Sequence, residues 1–268
     1  MTDTGYFKPF AERPYKNRFF VFPLTLQPHS EQTVYLRFQG PDGMDIPGYL
    51  WPRDAFHSYE RADYVSQAIY FGMVLAMIVF NMLLFIALRD FNYLLYVFFV
   101  GSTATNIAAA NGLGFEYFWG NSPYWATIVT LVSAASAIAA FLAFTRRMLD
   151  THTLVPRLDM LLKIGIGVQL VMLVGLIVWF KVFLQPMLVA APLSALLALI
   201  TGFVIAFQRQ RSAIFFLGAF AALCLGGVVT SLRSFGVLPT NAITVNALQF
   251  GSAVEMVLLA FALADRYN

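Results

Sequence analysis

The stretch Tyr64–Leu88 constrains the fold of this chain more than any other part of its sequence. It runs for 25 residues without a single Asp, Glu, Lys, Arg or His. As an α-helix it would rise about 37 Å at ~1.5 Å per residue, which is enough to cross a hydrocarbon core of about 30 Å. The sequence therefore predicts that the polypeptide enters a lipid bilayer here.

Six further apolar stretches follow and repeat this pattern. Their mostly short connections predict that neighbouring helices are antiparallel and adjacent. The seven predicted spans are Tyr64–Leu88, Tyr93–Gly112, Pro123–Phe144, Leu161–Phe180, Leu184–Phe207, Ala213–Ser234 and Ala242–Ala264.

The composition supports a membrane protein and excludes two other classes. Hydrophobic residues make up 59% of the chain and charged residues only 12%, which is too few for the surface of a soluble domain. The net charge of +3 does not indicate nucleic-acid binding, because the basic residues flank the spans instead of forming one face. Cys224 is the only cysteine, which excludes a disulfide framework and a cysteine-based metal site.

Residues 1–60 differ from the rest of the chain. Runs rich in β-branched and aromatic residues predict strands at Phe19–Leu26, Thr33–Phe38 and Ile46–Trp51. Three short strands cannot form a stable sheet alone, so they are interpreted as the end of a larger β domain or as a small cap on the membrane face. The predicted fold class is an all-α membrane protein: a seven-transmembrane helix bundle (61–268) preceded by a short extracytoplasmic β segment.

Lysine and arginine residues near the span ends predict the orientation of the bundle. If the first span ends inside, eight of these residues lie on the inner side and four on the outer side. This bias places the N-terminus outside and the C-terminus inside, which requires an odd number of spans. The inner residues are Arg89, Arg146, Arg147, Arg157, Lys163, Arg209, Arg211 and Arg266, and the outer ones are Arg53, Arg61, Lys181 and Arg233.

The loop between the second and third spans is crowded with aromatic residues. One interpretation is an interfacial belt at the external surface of the membrane. The other is a lid over an outward-facing ligand pocket, with Glu116 and Asn121 as its polar contacts and Arg233, near the outer end of the sixth span, as a further candidate. The candidate ligand-binding residues are Glu116, Tyr117, Trp119 and Arg233.

Glu255 is the ionisable residue of greatest interest within the spans. It lies about 13 residues into the last span, roughly 20 Å from the outer end of that helix. A carboxylate in hydrocarbon costs several kcal/mol, so the side chain should face the bundle and be either partnered or protonated. Glu255 is thus either a structural acid bonded to a neighbouring helix or part of a conformational switch or ligand site. Its depth differs from that of Arg233, so no ion pair between the two is predicted.

Uncharged polar residues and small residues in the spans predict contacts between helices. Small residues recur at four-residue spacing in the sixth span, at Gly218, Ala222 and Gly226. Interhelical hydrogen bonds are expected from Asn81, Asn106, Asn111, Gln169 and Gln249.

No catalytic constellation is present in the sequence, so the chain is interpreted as non-enzymatic. It has no phosphate-cradling Gly-rich loop, no zinc spacing and no nucleophile with a base in reach. The spans contain no histidine for haem, and the last span contains no lysine for a retinal Schiff base. The sequence therefore predicts no cofactor and no metal.

Four stretches carry a family resemblance through their order and spacing. The first runs from FPLTLQPHSEQTVYLRFQG to PGYLWPRDAF, and the second is NMLLFIALRDFNYLLYVFF, with a tight inner turn at Leu88-Arg89-Asp90. The third is NGLGFEYFWGNSPYW, and the fourth is SAVEMVLLAFALADRYN, which contains Glu255. Over about residues 18–268 the chain resembles the bacterial seven-transmembrane receptors with diverse intracellular signalling modules (7TMR-DISM).

This resemblance implies an extracytoplasmic sensor domain for carbohydrate-like or other small ligands, joined through the bundle to a cytoplasmic effector. The effectors of such receptors include diguanylate cyclases, histidine kinases and phosphatases. The resemblance also implies the bacterial inner membrane, a periplasmic N-terminus, a cytoplasmic C-terminus and, with a cyclase or kinase output, a homodimer. We expect most of the sensor domain and the effector to lie outside these residues.

The sequence is therefore interpreted as the core of a receptor that senses an extracytoplasmic ligand and transmits a conformational change. Two alternatives stay open. One is a proton-coupled transporter of a small solute, in which Glu255→Gln would abolish pH-dependent flux. The other is a membrane scaffold whose aromatic loop binds a protein partner through Tyr117 and Trp119.

Overall fold

Helices form nearly all of the regular structure in the part of the chain that the structure describes. The computed structural model describes residues 4–5, 8–27, 29–38, 48–207 and 211–265. A 3₁₀ turn, Phe10–Glu12, precedes the helices. In chain order the helices are α1 (Arg53–Leu88), α2 (Phe91–Ala110), α3 (Leu113–Tyr117), α4 (Pro123–Met148), α5 (Thr151–Leu154), α6 (Pro156–Val178), α7 (Phe180–Ala206), α8 (Arg211–Ser234), α9 (Ala242–Val245) and α10 (Ala247–Asp265).

Six of these helices, α1, α2, α4, α6, α7 and α8, are long and apolar enough to cross a membrane. The last helix, α10, continues the series with the shorter apolar stretch Ala247–Leu263. A helix satisfies the hydrogen bonds of its own backbone, so apolar segments adopt this form in lipid. The predicted all-α, multi-pass membrane architecture is confirmed.

Two of the predicted spans have different limits in the structure. Helix α1 begins at Arg53 instead of Tyr64, because polar residues extend the helix beyond the apolar stretch. The last predicted span, Ala242–Ala264, is interrupted at Asn246, between the short α9 and α10.

The N-terminal segment differs from the predicted β segment. Phe19–Leu26 and Thr33–Phe38 form no strand, and neither does the described part of the third run, residues 48–51; residues 46 and 47 lie outside the described structure. Aromatic and β-branched residues favour an extended backbone, but a strand also needs a neighbour that pairs its N–H and C=O groups. Within the described residues these runs have no such neighbour, so they are irregular chain instead of a sheet.

Helices that follow one another in the chain pack side by side, and the bundle closes on itself. Helix α1 packs on α2, α2 on α4, α4 on α6 and α7, α6 on α7, α7 on α8, and α8 on α10, which in turn contacts α1 and α2. Near its centre, the Phe141 ring of α4 stacks on Phe216 and Phe220 of α8, with centroid distances of 5.4 and 5.3 Å. Through this stack α4 connects the first half of the bundle to the second.

Most of the polar residues predicted to bridge helices do so. Asn81 is an exception, because its amide donates to a carbonyl one turn earlier in its own helix, at 2.9 Å. Asn111, at the end of α2, uses its backbone carbonyl to accept a bond from the N-terminal segment. The bridging pairs are Asn106 with the Thr130 carbonyl (2.7 Å), Gln169 with Ser194 (2.9 Å) and Gln249 with Gln67 (2.6 Å).

Helices α8 and α10 approach each other closely at two glycines. A Cβ at Gly226 would lie 2.6 Å from the carbonyl oxygen of Ala247, and one at Gly251 would lie 2.5 Å from the carbonyl oxygen of Ala222. Neither backbone oxygen can move without moving its helix. The close contact predicted from the small residues Ala222 and Gly226 is confirmed.

We expect Gly226→Val to lower the thermal unfolding midpoint of the bundle, because the added side chain forces α8 and α10 apart at a cost of about 1–3 kcal/mol. Gly227→Val is the matched control, since a Cβ at Gly227 would have no neighbour within 4 Å. Circular dichroism of both variants in the same detergent measures the difference. An equal loss of stability in the two variants would contradict this packing.

Candidate functional site

One face of α1 carries polar side chains along its first half. Glu60, Asp63, Gln67 and Tyr70 follow each other at spacings of three and four residues, which places them on the same side of the helix. The two carboxylates precede the apolar stretch, whereas the amide and the phenol lie within it. A single helix face therefore runs from the region outside the hydrocarbon into the bundle.

The chain before α1 binds this face through an ion pair made by its residues 8–27, which we call the N-terminal segment. Arg18 donates two hydrogen bonds to Asp63, each 2.7 Å long, and their side chains are only 1% and 6% exposed. A bidentate pair of this kind fixes geometry as well as adding energy. Arg18 also donates to the carbonyl of Asn111 at 2.9 Å, so one side chain joins the segment to both α1 and the end of α2.

Glu60 makes a second connection to the same segment. Its carboxylate accepts hydrogen bonds from Asn17 at 2.7 Å and from the Tyr15 hydroxyl at 2.9 Å. Glu60 precedes the apolar stretch of α1. Burial alone would raise the pKa of the Glu60 carboxyl, but the hydrogen bonds from Asn17, Tyr15 and His57 outweigh burial and hold the pKa below its ordinary value. Glu60 is therefore ionised at neutral pH.

Arg13 holds the backbone of the N-terminal segment in the conformation that positions Asn17 and Arg18 for these contacts. It is buried, and its guanidinium donates to the carbonyls of Asn17 at 2.6 Å and Arg18 at 3.2 Å. The same group lies over the rings of Phe20 and Phe115, 4.3 and 5.2 Å from their centroids. We call the set Arg13, Asn17, Arg18, Glu60 and Asp63 the clamp.

Two glycines let the segment approach the loop between α2 and α4. Gly112 has a φ of +79°, and a Cβ there would lie 2.9 Å from the carbonyl oxygen of Arg18. A Cβ at Gly120 would lie 2.9 Å from the Cβ of Phe10, whose N–H donates to the Gly120 carbonyl at 2.9 Å. Any larger residue at these positions would push the segment away from the loop.

Further along the same face, α1 bonds to α10. Gln67 and Gln249 exchange two side-chain hydrogen bonds of 2.6 and 3.3 Å. One turn later, the Tyr70 hydroxyl lies 3.0 Å from Ser252 Oγ. All four side chains are buried. We call these two pairs the polar seam.

Glu255 lies one turn beyond the seam on α10. Its side chain is fully buried, and in the described part of the chain neither carboxyl oxygen has a hydrogen-bond partner. The next residue, Met256, accepts a hydrogen bond on its carbonyl from the Tyr96 hydroxyl of α2, at 2.8 Å. Tyrosines from two helices thus bind the turn of α10 that holds this carboxyl group.

The four predicted ligand-binding residues do not come together in a single site in the described structure. Glu116 lies in α3 and accepts a hydrogen bond from the Tyr64 hydroxyl at 2.7 Å, beside the clamp. Tyr117 is 63% exposed, whereas Trp119 packs back against α3. Arg233 lies in the last turn of α8, where the described structure shows no hydrogen bond from it to Glu116, Tyr117, Trp119 or Glu255.

The clamp and the tyrosines of α1 and α2 were missed by reasoning from the sequence. Arg13 and Arg18 lie in a segment without regular structure, so no periodicity indicates which way they point. One usable signal was present: two carboxylates, Glu60 and Asp63, stand three residues apart directly before an apolar span. Such a pair on one helix face predicts a basic partner near that end of the helix.

Comparison with known proteins gives two family matches. Residues 63–266 match the family described as 7TM diverse intracellular signalling. Residues 1–52 match the family described as 7TMR-DISM extracellular 2. No curated protein and no solved structure matches the chain significantly.

Proposed function

The chain belongs to the family of seven-transmembrane receptors with diverse intracellular signalling modules (7TMR-DISM), and from this premise we propose that it is the membrane core of a ligand-sensing receptor. Its role would be to transmit a conformational change from an extracytoplasmic small ligand to a cytoplasmic effector. A cyclase, a histidine kinase or a phosphatase would supply the output, and the core itself would catalyse no reaction.

One observation carries this proposal. The clamp and the polar seam occupy the same face of α1, so the helix that receives the N-terminal segment also binds α10. Asp63 and Gln67 are separated by a single turn. A shift or rotation of α1 that follows the segment therefore acts directly on the last helix of the bundle.

The polar seam is suited to transmitting a movement of α1 because its contacts are side-chain hydrogen bonds. Side-chain hydrogen bonds between helices in lipid contribute only about 0.6–2 kcal/mol each, so they can be exchanged for others without unfolding the bundle. A ligand would act by binding two arrangements of the clamp with different affinities, since a ligand with equal affinity for both shifts nothing. The tight contact between α8 and α10 would make these two helices move together.

We further propose that the clamp faces the periplasm and that α10 leads to the cytoplasm of a bacterial inner membrane. The excess of Lys and Arg at the opposite end supports this orientation. On that side Arg146 of α4 binds Asp159 of α6 at 2.8 Å. Arg209 and Arg266, which belong to the same predicted inner set, lie outside the described residues. We also propose that the boundary between the extracytoplasmic segment and the bundle lies near residue 60.

The four candidate ligand residues divide into two roles in this proposal. Glu116 bonds to Tyr64 and Trp119 packs on α3, so both hold the loop beside the clamp. Tyr117, with its exposed ring, and Arg233, at the end of α8, are the ones that would contact a ligand or the sensor domain.

Opening the clamp is expected to move the C-terminal half of α10, at the end of the bundle opposite the clamp. Spin labels at Thr153→Cys and Phe261→Cys, in a Cys224→Ser background and in lipid nanodiscs, report the distance between α5 and α10. We expect Asp63→Asn to shift or broaden this distance distribution, and the exchange of Arg18→Asp with Asp63→Arg to restore it at least partly.

Asp54→Asn is the matched control, because Asp54 lies on the same helix but is exposed. It should leave the distance unchanged. A distribution that is identical in wild type and Asp63→Asn would overturn the proposal that this chain transmits a signal through α1.

A further inference from the structure

Two oxygen-bearing side chains of α10, Ser252 and Glu255, lie within one turn of each other beside Tyr70 of α1. The Tyr70 hydroxyl now lies 3.0 Å from Ser252 Oγ, and Glu255 stands three residues later, about 4.5 Å further along the helix axis. Both residues are at most 1% exposed and therefore face the interior of the bundle. Ser252 is engaged, whereas both oxygens of Glu255 are without a partner in the described structure.

We propose that Ser252 and Glu255 are alternative partners of the Tyr70 hydroxyl, and that Glu255 is a protonated, neutral acid when Tyr70 is bonded to Ser252. In the second arrangement the Tyr70 O–H donates to the carbonyl oxygen of the Glu255 carboxyl group. No bond to carbon is made or broken and no proton leaves the pair. The proposal rests on the proposed function, since it names the element that the movement of α1 would switch.

Burial and the absence of a partner support the neutral state of Glu255. An ionised carboxylate that is fully buried and unpaired in hydrocarbon would cost several kcal/mol, whereas the neutral acid costs far less. The titratable groups around it are Tyr70 from α1, Tyr96 from α2 and Cys224 from α8. None of these three is a cation that could stabilise a carboxylate.

The neutral acid still lacks a hydrogen bond in the described structure. A second arrangement, in which the Tyr70 hydroxyl bonds to Glu255, would supply it. A buried acceptor without a donor costs about 1–3 kcal/mol, so the described state is favoured by its other contacts and not by Glu255. A movement of α1 past α10 by roughly one turn would satisfy Glu255 and leave Ser252 free. Element shifts of one turn are an established form of switching between packed helices.

Infrared spectroscopy of the whole chain in lipid nanodiscs tests this inference without a ligand or an effector. The wild type at neutral pH should show the C=O band of a protonated carboxylic acid, and Glu255→Gln should remove it. Ser252→Ala takes away the present partner of Tyr70, so this variant should shift the Glu255 band to lower wavenumber. The double variant Tyr70→Phe with Ser252→Ala should return the band to its wild-type position.

If Glu255→Gln does not fold, Glu255→Asp assigns the infrared band to residue 255 instead. An aspartic acid band should then replace the original one at a different position. The absence of a protonated carboxyl band in the wild type would overturn the inference. A band that stays in place in Ser252→Ala would also overturn it. Either result would leave the spin-label test of transmission unaffected, so the two proposals can fail separately.

Discussion

Asp63→Asn is expected to reduce the free energy of unfolding by about 3 kcal/mol and to detach the N-terminal segment from α1. The substitution preserves the shape of the side chain but removes its charge, so the guanidinium of Arg18 stays buried without a counter-ion. Breaking one side of a buried ion pair costs more than the pair itself contributes, because the remaining charge is stranded. Chemical unfolding in mild detergent measures the loss, and limited proteolysis of residues 8–27 reports the release of the segment.

Two further variants serve as controls for the loss of stability in Asp63→Asn. Asp54→Asn makes the same chemical change at an exposed position of α1 and should cost less than about 0.5 kcal/mol. The exchange of Arg18→Asp with Asp63→Arg restores an opposite-charge pair and should recover part of the stability. If Asp63→Asn were as stable as Asp54→Asn, Arg18 would not be held by this carboxylate.

Glu255→Arg is expected to prevent the recovery of folded protein from membranes. Arginine stays charged at any accessible pH, so it cannot become neutral as a glutamic acid can. Insertion of a charge at the centre of a membrane helix costs about 2.5–3.5 kcal/mol, and the fully buried position of Glu255 leaves the longer side chain no room within the bundle. Size-exclusion chromatography of detergent extracts measures the yield of monodisperse protein.

Glu255→Gln and Glu255→Leu are the matching controls, because both side chains are neutral and similar in size to glutamate. We expect both to be recovered in amounts close to the wild type. A normal yield of well-folded Glu255→Arg would mean that this turn of α10 is in contact with water, and it would remove the basis for a neutral Glu255.

The membrane helices could be predicted from the sequence because their cause is local. Tyr64–Leu88 lacks charges over a length that only a spanning helix accommodates, and the small residue Gly226 indicates close packing whatever its partner. That the Glu255 side chain would face the bundle was predicted from its place in the last span. The buried position of its side chain in the structure agrees with the high cost of exposing a carboxyl group to lipid.

The clamp could not be predicted because its cause is tertiary. Arg18 is one of several basic residues in the N-terminal segment, and only the fold of that segment around Arg13 brings it to Asp63. The same reason explains the strands that did not form. The residues of Thr33–Phe38 favour an extended backbone, but pairing depends on a neighbour that the local sequence does not specify.

The most direct test of transmission from the clamp to α10 is hydrogen–deuterium exchange of wild type and Asp63→Asn in lipid nanodiscs. If α1 connects the two sites, the backbone amides of residues 247–256 should exchange faster in the variant, together with those of residues 8–27. Asp54→Asn should change neither region. Faster exchange confined to residues 8–27 and to the start of α1 would show that the clamp is a local anchor, and it would contradict the role of α1 as the link to the last helix.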